Sequence, residues 1–390
     1  MESNLISKKQ ADGTLNIATK GNARLLSLDF MRGFTVAAMI LVNDPGDWGH
    51  IYWPLEHSEW NGCTPTDLVF PFFLFMVGVS IVYAMQTKKD DAANRSKLIL
   101  SILRRSLIIV ALGVCLPLLY NFNFSHLRFP GVLQRIGIVF GITAVLYIKT
   151  TTRTQLYIAA TCLIGYYLIM TLIPVPGVGH ASLEPATNLG AWIDRSVFTT
   201  NHLWSDSKIW DPEGILGTIP AIGTCLIGVF TGTWLKKDKI KTNREILKMA
   251  GVAVIMIIVA LIWNQFFPIN KKLWTSSFVL FAGGLAVLML SLCYWLIDIK
   301  GYRKLIPPFL AFGRNAIAAY VLADVIPFLL GIIPATLNGH KTSLWGLIYL
   351  GGIVPYFSPV NASLVGAIVT VLIIFLPVWW LYYKKIIVKI

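Results

Sequence analysis

The chain has 390 residues, 56% of them hydrophobic and only 13% charged, an apolar share well above that of a soluble globular domain. Soluble enzyme scaffolds are therefore set aside in favour of an integral membrane protein. Its 33 Lys and Arg against 19 Asp and Glu give a formal net charge of +14, but the basic residues gather in alternate connections between apolar runs. Membrane topology and contact with anionic lipid explain that charge, which excludes nucleic acid as the expected partner.

The first two dozen residues are polar and hold no apolar stretch beside a small-residue cleavage site, so residues 1–27 are read as a cytoplasmic tail, not a signal peptide. Beyond them, runs of about 20 apolar residues predict transmembrane helices. They fall at 30–43, 66–86, 98–119, 131–148, 156–174, 215–235, 249–267, 275–298, 309–330 and 362–383. The expected fold is all-α and polytopic, with about ten spans in one domain covering 28–390. The run SLWGLIYLGGIVPYF at 343–357 is short and carries paired glycines and a proline, which suits a re-entrant or interfacial segment.

Lys8, Lys9, Lys20 and Arg24 precede the first span, and Lys88, Lys89, Arg95 and Lys97 follow the second. The same parity recurs at Lys149 and Arg153, at Lys236, Lys237, Lys239, Lys241, Arg244 and Lys248, at Lys300, Arg303 and Lys304, and at Lys384, Lys385 and Lys389. The positive-inside rule makes these faces and both termini cytoplasmic, which requires an even number of crossings.

The connections of opposite parity differ. Residues 44–65 carry Asp44, Asp47, Glu56 and Glu59 without a single Lys or Arg, and 175–214 is rich in Pro, Gly, Asn and Trp. Connections this long usually bind or cover something. The five cysteines include no CxxC pair, so neither a disulfide framework nor a metal site is expected. No internal repeat is visible, which weakens a transporter built from inverted halves.

EHSEWNG, residues 56–62, sets His57 near two carboxylates at the mouth of a span. Imidazole titrates nearest neutrality, so His57 suits a general base whose protonated form neighbouring carboxylates stabilise; an exposed loop histidine is the plain alternative. Asn43 stands fourteen positions earlier at the end of the first span, where its amide can polarise a carbonyl or simply end a helix. Asp67 opens the second span behind Pro65, either capping it or orienting His57. Arg135 begins a span within PGVLQRIG, and a guanidinium at membrane depth costs about 2.5–3.5 kcal/mol. It is expected to line a chamber or to pair with Asp67 or Glu213. Asp211 and Glu213 of WDPEG can attract a cationic substrate or cap the following helix. Trp60, Trp48, Trp192, Trp204 and Trp210 can stack on sugars or form an interfacial belt. Cys63 can carry an acyl group only if its thiol is activated.

The stretches LLSLDFMRG, LVND, EHSEWNGCTPTDLVFPFFLFMVG, PGVLQRIGI, WDPEGILGTI and NKKLWTSSFVL resemble the heparan-α-glucosaminide N-acetyltransferase family. The resemblance implies an all-helical membrane enzyme that takes acetyl from cytosolic acetyl-CoA and places it on a glucosamine-type amine across the membrane. It puts the catalytic histidine on His57 and a catalytic asparagine on Asn43. Lysosomal members carry a luminal domain and a further span ahead of the LDFMRG region; this chain has neither, so a bacterial-type enzyme of the inner membrane is expected. Its expected partners are acetyl-CoA, an amino-sugar or glycan acceptor, membrane lipids and a second copy of the chain. Arg32, Arg104, Arg105 and Arg314 stand near the cytoplasmic ends of spans, where they can bind the phosphates of coenzyme A or merely snorkel. Two other readings stay open: a transporter or flippase of a glycan or lipid precursor, and an O-acetyltransferase of cell-wall sugars.

Overall fold

A computed structural model describes residues 25–89, 94–120, 122–237 and 241–388. Most of the expected polar tail, with Lys8, Lys9, Lys20 and Arg24, lies outside the described residues, as do Lys239 and Lys389.

The long apolar runs form helices because a hydrocarbon environment leaves backbone amides no partner but each other. In chain order these are α1 Leu26–Asn43, α2 Val69–Lys89, α3 Arg95–Cys115, α4 Val132–Lys149 and α5 Thr152–Leu172. The short α6, Leu189–Phe198, follows, then α7 Thr218–Lys236, α8 Asn243–Trp263 and α9 Ser276–Tyr294. Polar residues mark the starts: Thr151 caps α5, Asn188 caps α6, Thr275 caps α9, and Thr242 with Glu245 forms a capping box on α8, each satisfying amides that a helix start leaves open. Among the described residues nine helices are long and apolar enough to cross a membrane, and a tenth crossing is made if one bent pair counts once. The protein is thus an all-α polytopic membrane protein.

That bent pair corrects the expectation of one continuous span at 309–330. Two helices stand there, α10 Ile306–Arg314 and α11 Ala316–Ile332, meeting at 85°. The break falls at the buried Asn315, whose amide donates to the Ile386 carbonyl and accepts from the Val388 N–H. Both ends of that side chain serve the C-terminal segment, and its backbone leaves the helical region. Because Arg314 also approaches Asp29 of α1, the two ends of the described chain meet at this break.

A second difference follows α11, where an antiparallel hairpin, β1 Pro334–Leu337 with β2 His340–Ser343, turns at Asn338 and Gly339. It leads into α12, Leu344–Gly346, whose path continues in a π turn over Leu347–Gly351. The last helix is α13, Pro359–Tyr383.

Burial separates centre from periphery. In α2, α4 and α7 61% of the apolar window is buried, against 17% in α3 and 22% in α8, and the outward Leu100, Leu103, Leu107, Ile255 and Ile262 belong to lipid-facing surface. At the centre α2 and α7 cross without side chains between them: a Cβ on Gly78 would come 1.9 Å from the Cys225 carbonyl, and one on Gly228 2.0 Å from that of Phe75. Small residues at such crossings let backbones approach and gain dispersion contact.

Candidate functional site

The connection between α1 and α2 carries His57, and two anchors hold it. Beneath, Asp67 sits in the 3-10 turn Thr66–Leu68 that leads into α2, fully buried. Its Oδ1 lies 2.7 Å from Nδ1 of His57, while its Oδ2 accepts the Ser58 N–H at 3.1 Å and the Thr64 N–H at 3.0 Å. The Thr64 hydroxyl donates to the Glu56 carbonyl at 2.6 Å and closes the turn. An ionised carboxylate only accepts hydrogen bonds, so Nδ1 carries the proton and Nε2 offers its lone pair. The His57 side chain is 44% exposed, which leaves Nε2 reachable. The imidazole's carboxylate is therefore Asp67, whereas Glu56 and Glu59 stay exposed.

From the other side, the α8–α9 connection clasps the loop. Gly62 N–H donates to the Ile269 carbonyl at 2.7 Å, Asn270 Nδ2 to Asn61 Oδ1 at 3.2 Å, and Lys272 Nζ to the Glu59 carbonyl at 2.5 Å. Asn43 is the last residue of α1 and is exposed; its amide makes no hydrogen bond among the described residues. Next to it, burial pushes Asp44 up to about 7, with Asp324 adding to the effect. Cys63 is half-buried, and burial pushes its thiol up to about 12, which disfavours the thiolate an acyl carrier needs.

A cleft opens beside this loop. Trp60 and Trp210 meet edge to face at 5.1 Å on its wall, and Lys272 lies 5.3 Å from the Trp210 ring. Arg135 of α4 reaches the cleft with 2% of its surface exposed, donating to the Gly214 carbonyl at 2.8 Å and standing 5.2 Å over Trp274. It borders this cleft and forms no ion pair with Asp67 or Glu213.

Glu213 and Asp211 instead share Arg128, which donates to Asp211 at 2.6 and 2.8 Å and to Glu213 at 2.6 Å. Burial opposes charge on Arg128, yet hydrogen bonds and the two carboxylates hold it above its usual range. Burial likewise works against Glu213, but Arg128, Lys271 and Arg135 keep it below the usual range. The acidic pair is thus largely neutralised within the fold. Asp211 still borders the cleft; Glu213 stands behind it.

At the end of the bundle where the chain ends meet, Arg32 donates to Asp29 at 2.9 Å, to Ser80 at 2.9 Å and to the Gly313 carbonyl at 3.2 Å. Arg314 approaches Asp29 at 4.0 Å and stands over Tyr382. Arg105 lies over Phe140, within electrostatic reach of Arg32. Arg104, one position earlier on α3 and exposed like Arg105, leaves the helix in a different direction, since neighbours on a helix diverge by about 100°. Three of the four arginines therefore converge.

Arg128, Asp194 and Lys272 escape a reading of the sequence alone. A signal existed for Asp194: NLGAWID has a capping asparagine followed by helical spacing of apolar residues, and α6 indeed begins there.

Comparison with known proteins adds a family. A sequence model described as heparan-alpha-glucosaminide N-acetyltransferase, catalytic, matches residues 24–262, a stretch holding every candidate above except Arg314 and Lys272. The chain is similar to the heparan-alpha-glucosaminide N-acetyltransferase of Mus musculus, 30% identical over 390 aligned positions, covering 83% of this chain and 58% of that protein. It is similar also to the Homo sapiens protein of the same name, 29% identical over 354 positions, covering 77% and 53%. The chain spans somewhat more than half the length of these curated relatives.

Proposed function

Because this chain belongs to the heparan-alpha-glucosaminide N-acetyltransferase family, we propose that it moves an acetyl group from acetyl-CoA to the amine of a glucosamine-type sugar on the opposite side of the membrane. The observation that carries this reading is the buried Asp67 carboxylate on Nδ1 of a half-exposed His57, an arrangement that fixes the tautomer of a base and stabilises its protonated form.

His57 and Asn43 are the catalytic residues. The amine nitrogen attacks the thioester carbonyl, a C–N bond forms, and the oxygen gathers negative charge that the Asn43 amide stabilises. His57 Nε2 takes the proton from the attacking nitrogen. The C–S bond then breaks, and the proton passes to the departing thiolate, giving coenzyme A. Asp67 positions the imidazole throughout.

Arg32, Arg105 and Arg314, with Arg104 nearby, receive the phosphates of coenzyme A, for which guanidinium donors are suited. Their common end of the bundle is the cytoplasmic one. The meeting of both chain ends at Asn315 supports that sidedness, as does the gathering of basic residues in alternate connections. Trp60 and Asp211 border the space for the acceptor, with Glu213 holding Arg128 behind it. The reading is tested by supplying the purified protein with acetyl-labelled acetyl-CoA and a panel of amine and hydroxyl acceptors. Label should move to the amine of a glucosaminide; transfer only to hydroxyls, or none, would overturn it.

A further inference from the structure

Among the described residues α3 is the least buried of the long apolar helices, and its packed face turns mainly to α4, where Ile102 and Ile109 are buried and the Ser106 hydroxyl donates to the Gly137 carbonyl at 2.7 Å. Arg104 lies two positions from both Ile102 and Ser106, about 200° around the helix from each, so it leaves α3 directly away from the protein. Leu100 and Leu107, one turn to either side, are exposed as well, which makes this a face that lipid tails cover. Among the described residues Arg104 has no hydrogen bond or ion pair, and α3 carries four basic residues without an Asp or Glu. A guanidinium on a lipid-facing surface is costly unless it reaches water or an anion.

Helix geometry says where that anion stands. Arg104 is about 13 Å along the axis from the start of α3 at Arg95. Side chains on a helix lean towards its N-terminus, so Arg104 runs back along α3 towards the polar end of the span. Lys97, seven positions earlier and also exposed, occupies the same face about two turns nearer that end. The apolar stems of both can lie along Leu100 while their charges stay at the level of the lipid headgroups. We propose that Lys97 and Arg104 hold the phosphate of an anionic phospholipid, in the leaflet at the start of α3. An anionic lipid is favoured over a zwitterionic one because α3 offers positive charge and no negative charge, and a guanidinium fork matches two phosphate oxygens. A coenzyme A phosphate, the other anion at this end of the bundle, falls to Arg105, which lies over Phe140 and within electrostatic reach of Arg32. The inference rests on α3 spanning a bilayer and stands apart from the acetyl-transfer reading.

The test places the full chain in nanodiscs of phosphatidylcholine mixed with phosphatidylglycerol and counts, by native mass spectrometry, which phospholipid stays bound when the protein is released. Wild type should retain phosphatidylglycerol in preference to phosphatidylcholine. Arg104→Gln should cut that preference about tenfold, as the loss of hydrogen bonds to a charged group implies. Lys97→Gln should cut it less, and Arg104→Lys, which keeps the charge without the fork, should fall between wild type and Arg104→Gln. Arg153→Gln, which removes an exposed charge near the start of α5, should leave the preference near wild type. All four variants should bind acetyl-CoA as wild type does in phosphatidylcholine alone. Should Arg104→Gln prove unstable, Lys97→Gln decides by the same two measurements. An undiminished preference in Arg104→Gln and Lys97→Gln, or an equal loss in Arg153→Gln, would overturn the lipid site. So would weakened acetyl-CoA binding by Arg104→Gln in phosphatidylcholine, which would give Arg104 to the coenzyme.

Discussion

Nδ1 of His57 lies 2.7 Å from Oδ1 of the fully buried Asp67, whose other oxygen is held by two backbone N–H groups. That carboxylate cannot turn away without losing them, so the imidazole inherits a fixed direction. Asp67→Asn keeps the shape but lets the amide donate towards Nδ1, which moves the ring proton to Nε2 and removes the lone pair that accepts the substrate proton. Turnover should fall by about 10²–10⁴, the worth of a positioned general base, with acetyl-CoA affinity unchanged. Turnover within threefold of wild type would show that Asp67 serves only the turn.

The arginines around Asp29 should respond as a unit. Arg32→Ala should weaken acetyl-CoA binding by about tenfold or more, the effect of losing a charge-assisted hydrogen bond, and binding should weaken with added salt. Arg105→Ala should act in the same direction. Dephospho-coenzyme A, lacking one phosphate, should be discriminated less by the variants than by wild type. Identical discrimination in all three proteins would place the phosphates elsewhere.

Asp194 gives a pH signature. Burial, with Asp211 adding to it, raises this carboxyl from 3.8 to about 6. Between those values the folded chain keeps a proton that the unfolded chain releases, so this group makes the fold more stable as pH falls through 6 towards 4 and less stable above 6. The ceiling is about 3 kcal/mol. Asp194→Asn should therefore melt above wild type at pH 8 and keep only about half of that advantage at pH 5. An equal offset at both pH values would mean that Asp194 titrates as an ordinary carboxyl.

Sidedness has its own check. In a background without reactive cysteines, Glu59→Cys, at an exposed position of the His57 loop, should react with an impermeant thiol reagent from the side opposite to both termini. Reaction from the same side as the termini would contradict transfer across the membrane.

The apolar runs are legible in the sequence because a span needs about 20 apolar residues whatever surrounds it. The break at Asn315 is not, since hydropathy averages over a window while this break is made by partners 71 and 73 positions away. The hairpin after α11 was readable: Asn338-Gly339 is a strong turn signal, and both residues take positive φ, 49° and 81°. At the site, His57 and Asp67 each stand out as residues, but their contact depends on the turn at Thr64. Asp211 and Glu213 look like free charge in the sequence because Arg128, 83 and 85 positions distant, gives no local sign of meeting them.

The most direct measurement compares His57→Ala with wild type for acetyl transfer to methyl glucosaminide and for acetyl-CoA binding in the same preparation, with His50→Ala as control. His50 also faces a carboxylate, Asp47 at 2.7 Å, but both partners are about half exposed, so that variant should keep turnover within about twofold of wild type, like other exposed pairs of little consequence. His57→Ala should bind acetyl-CoA as wild type does while turnover falls by about 10² or more. A His57→Ala protein that keeps more than about a tenth of wild-type turnover would contradict a base at this position, because a positioned base is worth more than that.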